Sequence, residues 1–317
     1  MSPDNSNDSI VDMVRDGLRL AHEAYTQTLP HEWEEAIENR ARQIDDPCLG
    51  LLRGNMNVVL FHIKVPADAG EIIAPDIKNL DHNQIDYESL VRLNIQIALR
   101  TNPRARIFLF TDFTFLKDMA GHERLHISRL DVNPREPMFE RVTTMAAYTR
   151  STLFQQPTVF LDSDAFLIRP VHNLFINHFD VALTHRNIVG QMPINEGVIL
   201  VNDINRTAVK RVFDSYLASY LSLESNREIS QIYKNLRRWR GGQLSVNSVA
   251  QGRQVYATGQ LDRSGVRIVY LPCSVYNLSE IKEHEVTPNL PSRVAVLHLK
   301  GPRKTWVDRL RAILDFA

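Results

Sequence analysis

Beyond residue 55, short apolar and β-branched runs take turns with longer stretches of helical period. The runs are Asn57–Ile63, Arg106–Phe110, Leu125–Leu130, Val159–Leu161, Val181–Leu183, Val198–Val201, Arg267–Leu271 and Arg293–Leu297. Residues 86–100, 138–153, 207–222 and 227–239 repeat their apolar positions every three or four residues. A run that is apolar on both faces suits a strand covered on both sides, and a one-sided stripe suits a helix covering it. Alternation of the two predicts an α/β sandwich with a largely parallel sheet. Ahead of it, Ile10, Val11, Val14, Leu18, Leu20 and Ala21 mark a helix with Ser9 as its N-cap, and Pro30 ends that segment. A charge-rich helix opens at His31. We therefore expect a helical extension over 1–50, with a boundary near Gly50 or Gly54, and one α/β domain over 51–317.

The run Val159-Phe160-Leu161 ends in Asp162-Ser163-Asp164. On a strand the two carboxylates would point the same way. Like charges side by side need a cation between them. A hard divalent cation with oxygen ligands, Mg²⁺ or Mn²⁺, also keeps positions open for phosphate oxygens. Ligands of open α/β sheets bind at the carboxyl ends of the strands, where these aspartates lie.

Bulk composition removes other classes. Lys+Arg and Asp+Glu both total 37, which argues against a nucleic-acid partner. The two cysteines, Cys48 and Cys273, are too few for a disulfide framework and read as reduced packing residues. No basic-then-apolar leader and no run long enough to span a bilayer is found. The expectation is a cytoplasmic protein.

More segments follow the aspartates in a definite order: Asn195-Glu196-Gly197-Val198, Gly242-Gln243-Leu244-Ser245-Val246-Asn247, Leu271-Pro272 with Tyr276-Asn277, and His298-Leu299-Lys300-Gly301-Pro302-Arg303-Lys304-Thr305-Trp306. Together with Asp162-Ser163-Asp164 they resemble the motifs of GT-A-fold glycosyltransferases, closest to glycosyltransferase family 8. The last resembles the signature His-x-x-Gly-x-x-Lys-Pro-Trp, with Thr305 in place of proline. The resemblance covers about residues 55–306. It implies a Rossmann-like sandwich with a mixed, mostly parallel central sheet, and a hexosyltransferase using a nucleotide-diphosphate sugar, with UDP as the default nucleotide.

The resemblance also implies roles. Asp162, Asp164 and His298 would hold the metal, and the imidazole favours Mn²⁺ over Mg²⁺. Gly301 would let the backbone approach the pyrophosphate, and Lys304 would place a charge on it. Arg150, in a Tyr148-Thr149-Arg150 triplet that resembles the family's Tyr-x-Arg, is a second phosphate candidate. Trp306 either closes over the nucleotide or packs the C-terminal helix. Asn195, Glu196 and Gly197 stand where family members contact sugar. Gln243 resembles the glutamine beneath the anomeric carbon of retaining members, although Gly242 and Leu244 stand where the family often carries acids. Were the reaction inverting, Glu196 would be the first candidate for the base. The first strand runs into His62-Ile63-Lys64-Val65-Pro66, without the family's nucleoside contact.

Two other readings fit parts of the pattern. One is a catalytically weak module that binds sugar nucleotide without turnover. The other is a haloacid-dehalogenase-type phosphohydrolase, which also places Asp-x-Asp after an apolar strand but wants Thr or Val where Phe166 stands. The basic run Lys234–Arg240 reads as a solvated helix face, or as a surface for an anionic acceptor or peripheral membrane contact. The N-terminal helices are candidates for a homo-oligomer contact, for a cap on the sheet or for binding another protein. The acceptor is not specified by the sequence.

Overall fold

The computed structural model describes residues 5–45, 54–66, 85–112, 116, 118–119, 121–188, 191–233, 235–238, 240–250 and 265–315. Among these, strands β1 (Met56–His62), β2 (Ala105–Thr111), β3 (Leu125–Arg129), β4 (Thr158–Asp162), β6 (Val181–His185), β7 (Ile194–Val201) and β8 (Ile268–Pro272) form a seven-stranded sheet in the order β3-β2-β1-β4-β7-β6-β8. All neighbours run parallel except those of β7, which is antiparallel to β4 and β6. The expected α/β class with a mixed, mostly parallel sheet is present. Strands β5 (Ala165–Leu167) and β9 (Val296–His298) form a separate antiparallel pair.

Strand alternation divides the core into two layers. Val58, Leu60, Ile107, Leu109, Val159, Leu161, Val198 and Leu200 face α3 (Tyr87–Thr101), the β5–β9 pair and the C-terminal α8 (Val307–Asp315). Val59, Phe108, Phe110, Phe160, Ile199 and Val201 face α2 (His31–Ile44), α4 (Pro137–Tyr148) and α5 (Arg206–Ser225). A strand buried on both faces needs apolar side chains at every position, which is why these runs are continuous rather than alternating. α1 (Asn5–Glu23) lies against α7 (Gly241–Ala250), where the Ser248 hydroxyl donates to the Ala21 carbonyl at 2.8 Å. The N-terminal helices are thus joined to the body of the sheet. The boundary glycine Gly50 and Cys48 lie outside the described residues.

Element ends differ from the sequence pattern where tertiary bonds intervene. α4 stops at Tyr148 rather than 153, because Asn57 Nδ2 takes the Leu153 carbonyl at 3.1 Å and Asp45 takes the Thr152 amide at 2.7 Å. The helical pattern over 227–239 yields only α6 (Arg227–Ile232). Asn235 and Arg240 beyond it have φ of 90° and 64°, which a helix cannot accommodate. Within the basic run, Arg237 is a paired side chain and not a freely solvated one. The Arg237 guanidinium pairs with Glu224 (2.5 Å) and Glu136 (2.9 Å) and lies 4.3 Å from the Phe139 ring centroid. It ties the end of α5 to the start of α4.

Replacing Arg237 with alanine should therefore destabilise the fold by about 1–2 kcal/mol, the sum of a half-exposed ion-pair network and a cation–π contact. Thermal unfolding checks this. Sedimentation with anionic vesicles should be the same for wild type and Arg237→Ala.

Candidate functional site

Asp162 is the last residue of β4, but Asp164 is not on that strand. Ser163 and Asp164 form a tight turn into β5. The two carboxylates converge through this turn, not through strand alternation as the sequence suggested. Asn94 holds the turn. It is fully buried on α3, and its side-chain amide donates to the carbonyls of Ser163 (3.0 Å) and Ala165 (2.9 Å). The antiparallel register pairs Ala165 with His298, so the third residue arrives directly beside Asp164.

One ligand atom from each of Asp162, Asp164 and His298 lies within 4.8 Å of the others. His298 Nε2 is 3.0 Å from Asp164 Oδ1 and 3.6 Å from Asp162 Oδ2. Its other nitrogen, Nδ1, is 2.8 Å from Asn277 Oδ1. Asn277 is oriented by its own amide, which donates to Thr184 Oγ1 at 2.7 Å. Its oxygen must therefore accept from His298, and Nδ1 carries the proton. Burial lowers the His298 pKa, so the ring is biased neutral. A neutral Nε2 lone pair then faces two carboxylates, an arrangement that a cation resolves. The donor set, two carboxylates and an imidazole fixed by an amide behind it, fits a divalent metal.

Positive groups surround the cluster. Lys304 Nζ is 3.1 Å from Asp164 Oδ2 and 5.3 Å from the Tyr87 ring centroid. Burial disfavours its charge, but Asp164 outweighs this and its pKa is raised. Burial likewise opposes the Asp164 carboxylate, yet the Lys304 ammonium beside it holds its pKa well below the ordinary value. Arg141 on α4 is buried, with Nε 3.1 Å from Asp162 Oδ1 and Nη1 3.3 Å from Glu196 Oε2. Burial opposes its charge as well, and Asp162 and Glu196 overcome that. Lys300 Nζ donates to Asn195 Oδ1 at 3.1 Å, and its pKa is lowered by burial and by Arg186. At the end of β1, His62 stacks on Tyr87 with centroids 5.6 Å apart. Burial, with Lys304 nearby, pushes the His62 pKa down to about 4, so this ring is neutral at pH 7.

The structure brings Asp162, Asp164, His298, Lys304, Asn195, Glu196 and Gly197 together. Gly197 follows Asn195 and Glu196 on β7; a Cβ there would press on His298 Cε1 and lie 2.8 Å from Asp162 Oδ2. Gln243, near the start of α7, donates to the Ile194 carbonyl at 3.1 Å beside Asn195. Gly301 has φ of 56°, and nothing lies within 4 Å of where its Cβ would be. Trp306 is partly buried and packs against the core layer that includes the C-terminal helix. Arg150 is not brought to the cluster. Its guanidinium is buried between Glu38 (3.0 Å) and Asp214 (2.6 Å), where it ties α2 to α5.

The arginine that does reach the site is Arg141 on α4, in Phe139-Glu140-Arg141, another aromatic-x-Arg triplet just upstream of the Tyr148-Thr149-Arg150 one. That repeated pattern was the available signal. Asn277 and Lys300 lay inside segments already singled out, but their roles depend on contacts the sequence does not display. Asn94 had a weaker signal, a polar residue among Leu93, Ile95 and Ile97 on a buried helix.

No family model matches this sequence, and no curated protein matches it. Solved structures do. The galactosyltransferase LgtC, crystallised with donor and acceptor sugar analogues, is 13% identical over 82% of this chain and 96% of its own, with a TM-score of 0.48. The glycosyltransferase GlyE of Streptococcus pneumoniae TIGR4 is 12% identical over 83% of this chain and 63% of its own, with a TM-score of 0.49. The bifunctional glycosyltransferase WbbM is 11% identical over 83% of this chain and 50% of its own, with a TM-score of 0.47. This chain thus spans less than two thirds of GlyE and half of WbbM. Among the described residues, no helix is long and apolar enough to cross a membrane.

Because Gly197 leaves no room for a methyl group, Gly197→Ala should force His298 and Asp162 apart. Its expected cost is about 1–3 kcal/mol of overpacking strain, read by denaturant unfolding in metal-free buffer. A fully stable Gly197→Ala protein would mean the cluster is looser than described.

Proposed function

We propose that this chain is a metal-dependent glycosyltransferase of the GT-A type. It would move a hexose from a nucleotide-diphosphate sugar, with UDP-sugar as the default donor, to an acceptor, with retention. The observation that carries the reading is the convergence of Asp162, Asp164 and a tautomer-fixed His298 at the carboxyl ends of the sheet strands, ringed by Lys304, Lys300 and Arg141. Asp162, Asp164 and His298 would hold Mn²⁺, or Mg²⁺, which when bound neutralises the charge of a diphosphate leaving group.

The other residues have work that follows from their positions. Formally, the carboxylates of Asp162, Asp164 and Glu196 balance the cations Arg141, Lys300 and Lys304. A bound divalent ion leaves the site positive, as an incoming diphosphate requires. Lys304 supplies a point charge beside the cluster, and the bare backbone at Gly301 admits phosphate oxygens at close range. Asn195 Nδ2 is buried without a protein acceptor, a donor suited to a sugar hydroxyl. Gln243 stands next to it. The neutral His62–Tyr87 stack offers an apolar face at the end of β1.

Retention is favoured over inversion by the setting of Glu196. It is 4% exposed and accepts from Tyr216 (2.6 Å) and Arg141. A base for an acceptor hydroxyl has to reach that hydroxyl, and this carboxylate is turned into the protein.

Purified protein offered a panel of sugar nucleotides should hydrolyse or transfer one of them only when Mn²⁺ or Mg²⁺ is present. Asp164→Asn should lower that activity by about 100-fold or more, the order expected when a metal site loses its geometry. Donor binding with no turnover across many acceptors would favour the binding-module reading. Hydrolysis of simple phosphomonoesters, lost in Asp162→Asn, would replace the proposal with a phosphohydrolase.

A further inference from the structure

We infer that Glu196 is a positioning residue for the metal cluster, acting through Arg141 on Asp162, and that it occupies space left by the missing side chain of Gly242. The inference rests on the metal reading above. Its geometric basis is independent of any ligand.

Arg141 carries one charge and is buried, so its partners must share it. Its Nε meets Asp162 Oδ1, its Nη1 meets Glu196 Oε2, and its Nη2 donates to the Glu196 carbonyl at 2.9 Å. Tyr216 on α5 fixes Glu196 Oε2 from the far side. While Glu196 holds one edge of the guanidinium, Asp162 receives only part of its charge, and Asp162 Oδ2 still faces His298 Nε2 at 3.6 Å. Without the Glu196 carboxylate the whole charge would fall on Asp162, which would become an ion-pair partner and a poorer metal ligand.

The second observation concerns Gly242, at the start of α7. A Cβ built there would fall onto Glu196 Oε2 and lie 3.1 Å from its Cδ. Glu196 therefore reaches Arg141 through space that any larger residue at 242 would fill. A side chain at 242 would have to displace the Glu196 carboxylate from Arg141.

The test is Mn²⁺ affinity, measured by the electron paramagnetic resonance of free Mn²⁺, with thermal unfolding in metal-free buffer alongside. Glu196→Gln keeps the shape and removes the charge, and should weaken Mn²⁺ binding about tenfold or more. Gly242→Asp alone should weaken it as well, through the clash with Glu196. Combining Gly242→Asp with Glu196→Ala should restore binding relative to either Glu196→Ala or Gly242→Asp alone. A purely structural role for Glu196 would lower the melting temperature without this sign reversal. Should Glu196→Gln fail to fold, the comparison of Glu196→Ala with the double variant decides. Wild-type Mn²⁺ affinity in Glu196→Gln, or a double variant no better than its parents, overturns the inference alone. A wild-type chain that takes up no Mn²⁺ overturns the metal reading and the inference together.

Discussion

A neutral imidazole nitrogen aimed at two carboxylates is the contact on which the rest of the site depends. The Asn277 oxygen fixes the proton of His298 on Nδ1, so Nε2 meets Asp162 and Asp164 with its lone pair. A cation held between them makes that meeting favourable in a buried setting. The ring is 1% exposed, so bulk water cannot relieve it. Lys304 answers part of the demand on Asp164, and Arg141 part of that on Asp162. Neither lies between all three ligand atoms.

The fold is arranged to enforce this contact. The β5–β9 register delivers His298 next to Asp164, and Asn94 pins the intervening turn. Gly197 on β7 leaves the gap into which the imidazole fits. The bulge between Leu183 and Thr184 in the β6–β7 pairing turns the Thr184 hydroxyl to the Asn195 carbonyl at 2.8 Å, which in turn orients Asn277. These supports come from elements far apart in sequence, so the geometry exists only in the folded chain.

What the sequence revealed follows from what periodicity and motifs can carry. The continuous apolar runs announced strands covered on both faces, and every strand of the large sheet was anticipated within a few residues of its ends. Asp162, Asp164, His298 and Lys304 were legible because their spacing has a chemical meaning. Three things were not. The three-residue strand β5 was too short to show a period, so Asp164 was assigned to the wrong element. Arg150 was named and Arg141 was not, because two aromatic-x-Arg triplets lie nine residues apart, one within α4 and one at its end, and only packing distinguishes them. The basic run was read as solvated because its partners, Glu224 and Glu136, come from two other elements.

The central claim is that one divalent cation completes the Asp162–Asp164–His298 cluster. Anomalous diffraction from crystals grown with Mn²⁺ tests it most directly. The account requires a peak within about 2.0–2.6 Å of an oxygen of each aspartate and of the His298 Nε2 nitrogen. Crystals that hold Mn²⁺ elsewhere, or none, with His298 protonated on both nitrogens and paired to the aspartates as an ion, would contradict it.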